Sequence, residues 1–334
     1  MTKVRSMLRA FRFPFFFQSL NPIDSIPEPK ISWIQKTDRR KIKMIFYKNI
    51  EDVPLARVIE PGRVDWEKEG LRYWEHVPYS DQSPRQYMDI WAPEGAKDLP
   101  AVIWIHGGGW NDENLTEKYR PEPEMAKLSK LGFVCASIEY RLAKHAPFPA
   151  QIEDCKCAVR FLRANADCFG IDPSKIGAWG ESAGGHLTAL LAVTGNVPEL
   201  EGDGGWNDQS SAIQAAVPWY APFDMLKPAL EAGDNNELYS LLFGGSPKDT
   251  KDLIWTASPM KYVGNDLPPM LCMHGDMDRL VPTWQTLDFY RAARDRGNPV
   301  ELVIVPGQGH GFFDGDIYYE AIELFFRRTL KDEF

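Results

Sequence analysis

Gly-Glu-Ser-Ala-Gly-Gly, at residues 180–185, is the stretch that decides the fold. A short apolar run at residues 175–179 precedes it, and a helix-compatible run at residues 186–192 follows it. That order predicts a strand, a tight turn and a helix. A serine at the apex of such a turn requires small residues two positions before and after it, because the turn is too sharp for larger side chains. The motif has glycines there, so Ser182 is the leading candidate for a covalent nucleophile.

A glycine-rich turn lies upstream of this motif. Residues 101–105, Ala-Val-Ile-Trp-Ile, predict a buried strand that runs into His-Gly-Gly-Gly-Trp at residues 106–110. Three glycines leave backbone N–H groups free to point at a ligand, and acyl transfer develops an oxyanion that such donors stabilise. We expect the N–H groups of Gly108 and Gly109, with that of Ala183, to form an oxyanion hole. A plain glycine turn is the alternative.

Two acids follow another predicted buried strand, at residues 269–274. An acid at the carboxyl end of such a strand can orient a catalytic histidine and stabilise its protonated form. We assign this role to Asp278, which lies directly before the x-x-Val-Pro segment that starts the next helix. Asp276 is the alternative, and its expected role is structural, binding N–H groups of the loop.

His310 lies between two glycines on the loop after the strand at residues 300–305. A histidine there can reach over the sheet edge and act as the general base that a serine nucleophile needs. The order Ser182, Asp278, His310 is the triad order of α/β-hydrolases. We expect structural roles for the remaining histidines, which are His76, His106, His145, His186 and His274.

These motifs together resemble those of the α/β-hydrolase superfamily, and within it the esterases and lipases that carry His-Gly-Gly-Gly, similar to hormone-sensitive lipase. The segments 139–142, 146–154 and 180–186 are similar to bacterial carboxylesterases that include bifunctional acetylxylan and feruloyl esterases. The similarity extends from about residue 80 to the C-terminus.

The resemblance implies a serine carboxylic-ester hydrolase with an acyl-enzyme intermediate. Its substrate would be a small-molecule ester, short-chain or aryl, with acetyl and feruloyl esters included. The mechanism requires no metal and no organic cofactor. Two alternatives stay open. One is an arylformamidase or another amide hydrolase with the same triad, and the other is a binding protein of this fold without turnover.

The remaining sequence predicts an α/β fold with a mostly parallel central sheet and helices on both faces. Residues 71–79 and 86–91 form an opening antiparallel pair, and residues 222–263 form a helical insertion over the active site. We expect residues 1–70 to be an N-terminal extension, acting as a cap or lid, and residues 71–334 to be the catalytic domain. The other predicted strands lie near 101–105, 132–139, 174–179, 213–219, 269–274 and 300–305, and the helices near 117–130, 149–166, 183–194, 282–297 and 315–331.

Aromatic residues at strand ends suggest a substrate pocket. Trp110 and Trp219 lie close to the expected chemistry, where they could form an acyl or aryl site. Packing in the core is the alternative for both.

The composition of the chain limits the kinds of binding partner that we expect. The chain has 334 residues with a net charge of −9 and a pI near 5.3, which argues against nucleic acid. The five cysteines show no zinc-ligand spacing, and their odd number without a disulfide framework favours a reducing compartment. Homo-oligomerisation stays open.

The first 20 residues are basic and rich in phenylalanine. Their apolar run is short, is broken by Pro14 and has no small-residue cleavage site after it, so we expect no signal peptide and a cytoplasmic protein. Contact with a membrane surface through residues 1–20 is an alternative that we favour less than a cap or lid.

Overall fold

A single eight-stranded sheet organises the part of the chain that the structure describes. The computed structural model describes residues 65–113, 122–264, 266–311 and 316–333. The strand order is β1-β2-β4-β3-β5-β6-β7-β8; β1 and β2 run antiparallel to their neighbours, and all other pairs are parallel. The strands are β1 (Leu71–Pro78), β2 (Tyr87–Pro93), β3 (Leu99–Ile105), β4 (Val134–Ile138), β5 (Ile171–Glu181), β6 (Ala215–Trp219), β7 (Met270–Gly275) and β8 (Val300–Val305).

Helices cover both faces of this sheet. Helices α2, α4 and α8 contribute to the apolar core on one face, and α1 and α9 contribute to the core on the other. Short 3-10 turns span Pro198–Leu200 and Pro259–Tyr262. The helices of the described chain are α1 (Glu122–Lys130), α2 (Ala150–Ala164), α3 (Ala166–Phe169), α4 (Ala183–Val193), α5 (Leu226–Ala232), α6 (Glu237–Phe243), α7 (Lys251–Thr256), α8 (Trp284–Arg294) and α9 (Asp316–Leu330).

Strand β3 shows why the central sequences are continuously apolar. Successive side chains of a strand point to opposite faces. Ile103 and Ile105 therefore join the core beneath α2 and α4, whereas Val102 and Trp104 join the core beneath α1 and α9. Because both faces are covered, a central parallel strand has no polar side, and the predicted buried run at residues 101–105 follows from this.

The predicted alternation of strands and helices matches the observed elements, with differences at the boundaries. The helix expected at 149–166 divides into α2 and α3, because Asn165 leaves the helical conformation and its side-chain amide donates to the Phe161 carbonyl at 2.9 Å. Strand β5 is longer than predicted, since it continues to the residue before Ser182. The first part of the helix expected at 117–130 lies outside the described residues.

Between β6 and β7 the chain forms α5, α6, α7 and a 3-10 turn. The segment at 222–263 is therefore helical and interrupts the strand–helix alternation. The predicted N-terminal extension lies outside the described residues as far as residue 64, and so does the predicted role of residues 1–20. Within the described chain, every helix falls short of the length and apolar character needed to cross a bilayer.

Candidate active site

Ser182 lies at a strained turn between β5 and α4. Its φ of 52° and ψ of −117° are unfavourable for a residue with a side chain, at a typical cost of about 1–3 kcal/mol. Hydrogen bonds hold this turn: Ser182 N–H donates to the Trp219 carbonyl, and His186 N–H donates to the Ser182 carbonyl, each at 2.9 Å. The result is a hydroxyl lifted above the carboxyl edge of the sheet.

Gly184 explains the motif in physical terms. A Cβ atom built on Gly184 would collide with the carbonyl oxygens of Ile105 and His106. Helix α4 therefore starts in direct contact with the end of β3, and any side chain at this position would force the two apart. The close approach brings the glycine-rich turn after β3 against the serine.

Three side chains from different loops meet at this edge. The Ser182 hydroxyl lies 2.9 Å from His310 Nε2, and His310 Nδ1 lies 2.7 Å from Asp278 Oδ2. Since a carboxylate only accepts hydrogen bonds, Nδ1 carries the proton and Nε2 accepts the bond from the serine hydroxyl. The structure thus brings together Ser182, His310 and Asp278, the three residues selected from the sequence.

Asp278 is held as a carboxylate by donors on both oxygens. Its Oδ1 accepts the backbone N–H groups of Leu280 at 2.8 Å and Val281 at 2.9 Å. Its Oδ2 accepts from His310 and from His274 Nε2, which lies 3.1 Å away. Burial raises the pKa of Asp278, but the hydrogen bonds from His274, His310 and Val281 outweigh it and hold the pKa well below the usual carboxyl range.

The loops that carry the acid and the histidine are docked together. A Cβ on Gly275 would collide with the Gln308 carbonyl, so the loop after β8 reaches over the end of β7 only because this residue is glycine. Asp276 Oδ1 accepts the Gly307 N–H at 2.6 Å, and Met277 N–H donates to the Gln308 carbonyl at 2.8 Å. Asp276 is exposed and bound to this loop, as expected of the structural alternative to Asp278.

Tyr220 forms one wall beside His310. The two rings meet edge to face with centroids 4.8 Å apart. The Tyr220 hydroxyl donates to Glu181 Oε2 at 2.5 Å, and both residues are buried. This contact fixes the residue that precedes Ser182 and limits the positions that the imidazole can adopt.

The glycine-rich turn lies directly against the serine. A Cβ on Gly107 would be 3.4 Å from Ser182 Cβ. Gly108 and Gly109 have φ values of 96° and 56°, which glycine adopts without strain. His106 stacks on Tyr140 at 4.3 Å, and the Tyr140 hydroxyl donates to the His106 carbonyl at 3.0 Å. Burial lowers the pKa of His106 to about 4, so this residue stays neutral at physiological pH.

His186 links three parts of the site. Its Nδ1 accepts from Trp110 Nε1 at 3.1 Å, and its Nε2 donates to the Ala257 carbonyl at 2.6 Å. The first bond reaches the glycine-rich turn and the second reaches the insertion between β6 and β7. Burial lowers the pKa of His186 to about 4. Its role is structural, as the sequence predicts.

Both tryptophans expected in a substrate pocket are buried in the core. Trp110 is 5% exposed and packs edge to face against His186. Trp219 is 3% exposed, and its indole N–H points to the Met273 sulfur at 2.8 Å. Trp219 belongs to the core on the α1 and α9 side of the sheet. These contacts match the core-packing alternative.

Sequence reasoning missed one contact in this site. It expected His274 to satisfy backbone groups, and His274 Nε2 does lie 2.8 Å from the Val281 carbonyl. The same nitrogen also lies 3.1 Å from Asp278 Oδ2. The available signal was the spacing: a histidine ends β7 four residues before the acid, so a tight loop must bring the two side chains close.

Comparisons with known proteins identify the family of this chain. A family model described as BD-FAE matches residues 88–293. Esterase LipQ of Mycobacterium tuberculosis is 33% identical over 251 residues, covering 71% of this chain and 56% of LipQ. The chain thus spans about half the length of the curated relatives it matches.

Solved structures give the same result. A truncated carbohydrate esterase from gut microbiota has a TM-score of 0.72 and 32% identity, covering 78% of this chain and 96% of the other. A thermophilic esterase of Thermogutta terrifontis, Est2 with propionate bound, has a TM-score of 0.62 and 28% identity. The match covers 75% of this chain and 90% of Est2. The family match and the mostly parallel sheet show that this chain belongs to the BD-FAE family and has the α/β-hydrolase fold.

Proposed function

We propose that this protein is a serine carboxylesterase that cleaves short-chain or aryl esters through an acyl-enzyme on Ser182. The observation that carries the proposal is the continuous chain of hydrogen bonds from Ser182 to His310 and from His310 to Asp278, at 2.9 and 2.7 Å. A serine at its ordinary pKa is a weak nucleophile, and a base at this distance activates it.

The reaction follows from these positions. His310 Nε2 takes the hydroxyl proton as Ser182 Oγ bonds to the ester carbonyl carbon. The tetrahedral intermediate collapses, the C–O bond to the alcohol breaks, and His310 returns the proton to the leaving oxygen. A water molecule then gives a proton to His310 and attacks the acyl carbon of the acyl-enzyme. The bond between Ser182 Oγ and the acyl group breaks, and His310 returns the proton to Oγ, which releases the acid and restores the hydroxyl. Asp278 keeps His310 oriented and stabilises its protonated form.

Backbone N–H groups supply the oxyanion hole in this proposal. Ala183 is the first residue of α4, and the first N–H groups of a helix have no acceptor within the helix. Among the hydrogen bonds between described residues, none has Gly108 or Gly109 N–H as its donor. All three groups lie next to Ser182 in the chain or in the turn packed against it. One such donor typically contributes about 3–4 kcal/mol to the transition state.

The exposed side chains next to Asp278 favour a substrate with an apolar acyl or aryl group. Met277 and Leu280 flank Asp278, and they are 54% and 72% exposed. Large apolar side chains that are exposed beside a catalytic centre are removed from water when an apolar part of the substrate binds against them, and this burial favours binding. The propionate bound to Est2 and the presence of a carbohydrate esterase among the structural neighbours support short acyl groups on a sugar.

Replacing the nucleophile tests the proposal. Ser182→Ala should lower kcat on p-nitrophenyl acetate and butyrate by roughly 10⁴- to 10⁶-fold, because loss of a triad member removes the acyl-enzyme route. Retention of more than about a hundredth of wild-type kcat would contradict the nucleophile assignment.

Two further measurements separate the alternatives. A fluorophosphonate should label the wild-type protein at Ser182 and leave Ser182→Ala unlabelled; an unlabelled wild type would favour a binding protein without turnover. A panel that pairs acetyl, butyryl and feruloyl esters with N-formyl anilines should give higher kcat/KM on the esters. Preference for the anilines would point to an amide hydrolase instead.

A further inference from the structure

We propose that His274 is a positioning residue of this reaction, acting on His310 through the carboxylate that the two histidines share; the inference rests on the proposed function. His274 lies at the end of β7 with its side chain fully buried. Its Nε2 lies 3.1 Å from Asp278 Oδ2, the same oxygen that accepts the bond from His310 Nδ1 at 2.7 Å. Asp278 therefore lies between two imidazoles.

The partners of His274 determine where its proton lies. The Val281 carbonyl lies 2.8 Å from Nε2 and can only accept, so Nε2 carries a hydrogen. This N–H is shared between the carbonyl and Asp278 Oδ2. At the other side of the ring, Nδ1 lies 2.7 Å from Thr286 Oγ1 on α8. The Thr286 hydroxyl donates to Nδ1 and keeps the imidazole in the tautomer that presents its N–H to Asp278.

A second imidazole on Oδ2 has two consequences. It helps to fix the rotation of the carboxylate, which is otherwise held by the backbone N–H groups on Oδ1 and by the mobile partner His310 on Oδ2. Its N–H also offsets part of the negative charge that Asp278 Oδ2 presents to His310. Without this donor the carboxylate would be freer to rotate and would stabilise protonated His310 more strongly. His274 thus keeps His310 aimed at Ser182 and available as a base.

Other titratable side chains near His310 are those of Tyr220, Glu181 and Asp276. Tyr220 presents its ring edge to His310 and bonds through its hydroxyl to Glu181. Asp276 is exposed and binds the Gly307 N–H on the histidine loop. Between described residues, the side-chain donors to Asp278 are the imidazoles of His274 and His310.

The test compares His274→Leu with His274→Gln. Leucine removes the donor, whereas the glutamine Nε2 can replace the histidine Nε2 as donor to Asp278. The measured quantities are kcat, KM and the pH profile of kcat/KM on p-nitrophenyl acetate, with active sites counted by fluorophosphonate titration. For His274→Leu we expect kcat to fall tenfold or more with KM within about twofold, because a carboxylate that rotates more freely no longer holds His310 aimed at Ser182 in the transition state. We expect its acid limb to move up by about half a pH unit or more.

His274→Gln should restore most of kcat and return the acid limb to its wild-type position. A purely structural role would lower the fraction of active protein and the melting temperature but leave the acid limb in place, and that result would overturn the proposal. If His274→Leu fails to fold, Thr286→Val carries the test, since it removes only the hydroxyl on Nδ1. It should move the acid limb in the same direction, and an unmoved limb would equally overturn the proposal.

The two proposals fail separately. An active Ser182→Ala protein contradicts the esterase mechanism itself. An inactive Ser182→Ala protein beside a His274→Leu protein with wild-type kcat and pH profile leaves the mechanism standing and removes only the role of His274.

Discussion

His186 should make the stability of this protein depend on pH. The imidazole is buried, donates to the Ala257 carbonyl at 2.6 Å and accepts from the Trp110 indole at 3.1 Å. Burial lowers its pKa from 6.5 to about 4. The neutral form therefore stabilises the folded state above pH 6.5, and this contribution is lost as the pH falls toward 4.

The size of the effect follows from the shift. At pH 5 the unfolded chain binds a proton at this position, whereas the folded protein does so only to a small extent. Linkage then gives a loss of about 2 kcal/mol in the free energy of unfolding between pH 7 and pH 5. His106, whose pKa burial also lowers to about 4, should add a loss of similar size in the wild type.

Urea denaturation at pH 7 and pH 5, followed by tryptophan fluorescence and far-UV circular dichroism, measures this loss. His186→Gln keeps a donor for the Ala257 carbonyl but cannot be protonated in this range. Its unfolding free energy should fall by about 2 kcal/mol less than that of the wild type between the two pH values. Because the comparison is a difference of differences, any destabilisation by the substitution itself cancels.

The control is His76→Gln, since the His76 side chain is 39% exposed and lies 3.7 Å from the Glu75 carboxylate. An exposed ion pair contributes about 1 kcal/mol or less, so this variant should change the pH dependence less than His186→Gln does. A His186→Gln protein that loses as much stability as the wild type between pH 7 and pH 5 would refute the reasoning.

Other substitutions test the rest of the structure. Gly184→Ala should yield no soluble active protein or cost more than about 3 kcal/mol, because its Cβ would collide with a β3 carbonyl; a wild-type melting temperature would contradict this. Glu201→Ala should destabilise by about 3–5 kcal/mol, because the buried charges of Lys156 and Arg160 would lose the carboxylate that they share. Lys156→Met should cost about 1 kcal/mol or less in urea denaturation. A larger loss of stability for Lys156→Met than for Glu201→Ala would contradict the role of Glu201 as the shared carboxylate. Asp278→Asn should lower kcat by about 10⁴-fold with the protein still folded, whereas Asp276→Asn should change kcat only a few-fold; equal effects would contradict the choice of acid.

Local sequence predicted the elements well because their signals are local. The buried runs of β3 and β7 are apolar without a polar side, which is typical of strands covered on both faces. The glycines around Ser182 are required by a turn formed within a few residues. Boundaries were less accurate: Asn165 ends α2 through a hydrogen bond to its own helix, and no periodicity reports such a break.

The order of the motifs and their positions at strand ends also identified Ser182, Asp278 and His310 as candidates, with Asp276 as the alternative acid. Parallel strands bring their carboxyl ends to one edge, so residues far apart in sequence converge there. Aromatic residues at strand ends were harder to interpret. Trp110 and Trp219 are near the chemistry in sequence, but rotamer and packing turn both indoles into the core, and a strand pattern does not specify rotamers.

The sequence by itself predicted the architecture, the sharp turn at Ser182 and the strand ends that carry its partners, because each is encoded by residues close together in the chain or by strand order. It left Asp276 open beside Asp278 as the acid. Only the tertiary structure decided that Asp278 is shared by two histidines. That contact depends on how the β7 loop folds back and on Thr286 from α8, which sets the tautomer of His274. Such contacts join side chains through space at hydrogen-bond distance, and no sequence pattern fixes an orientation that finely.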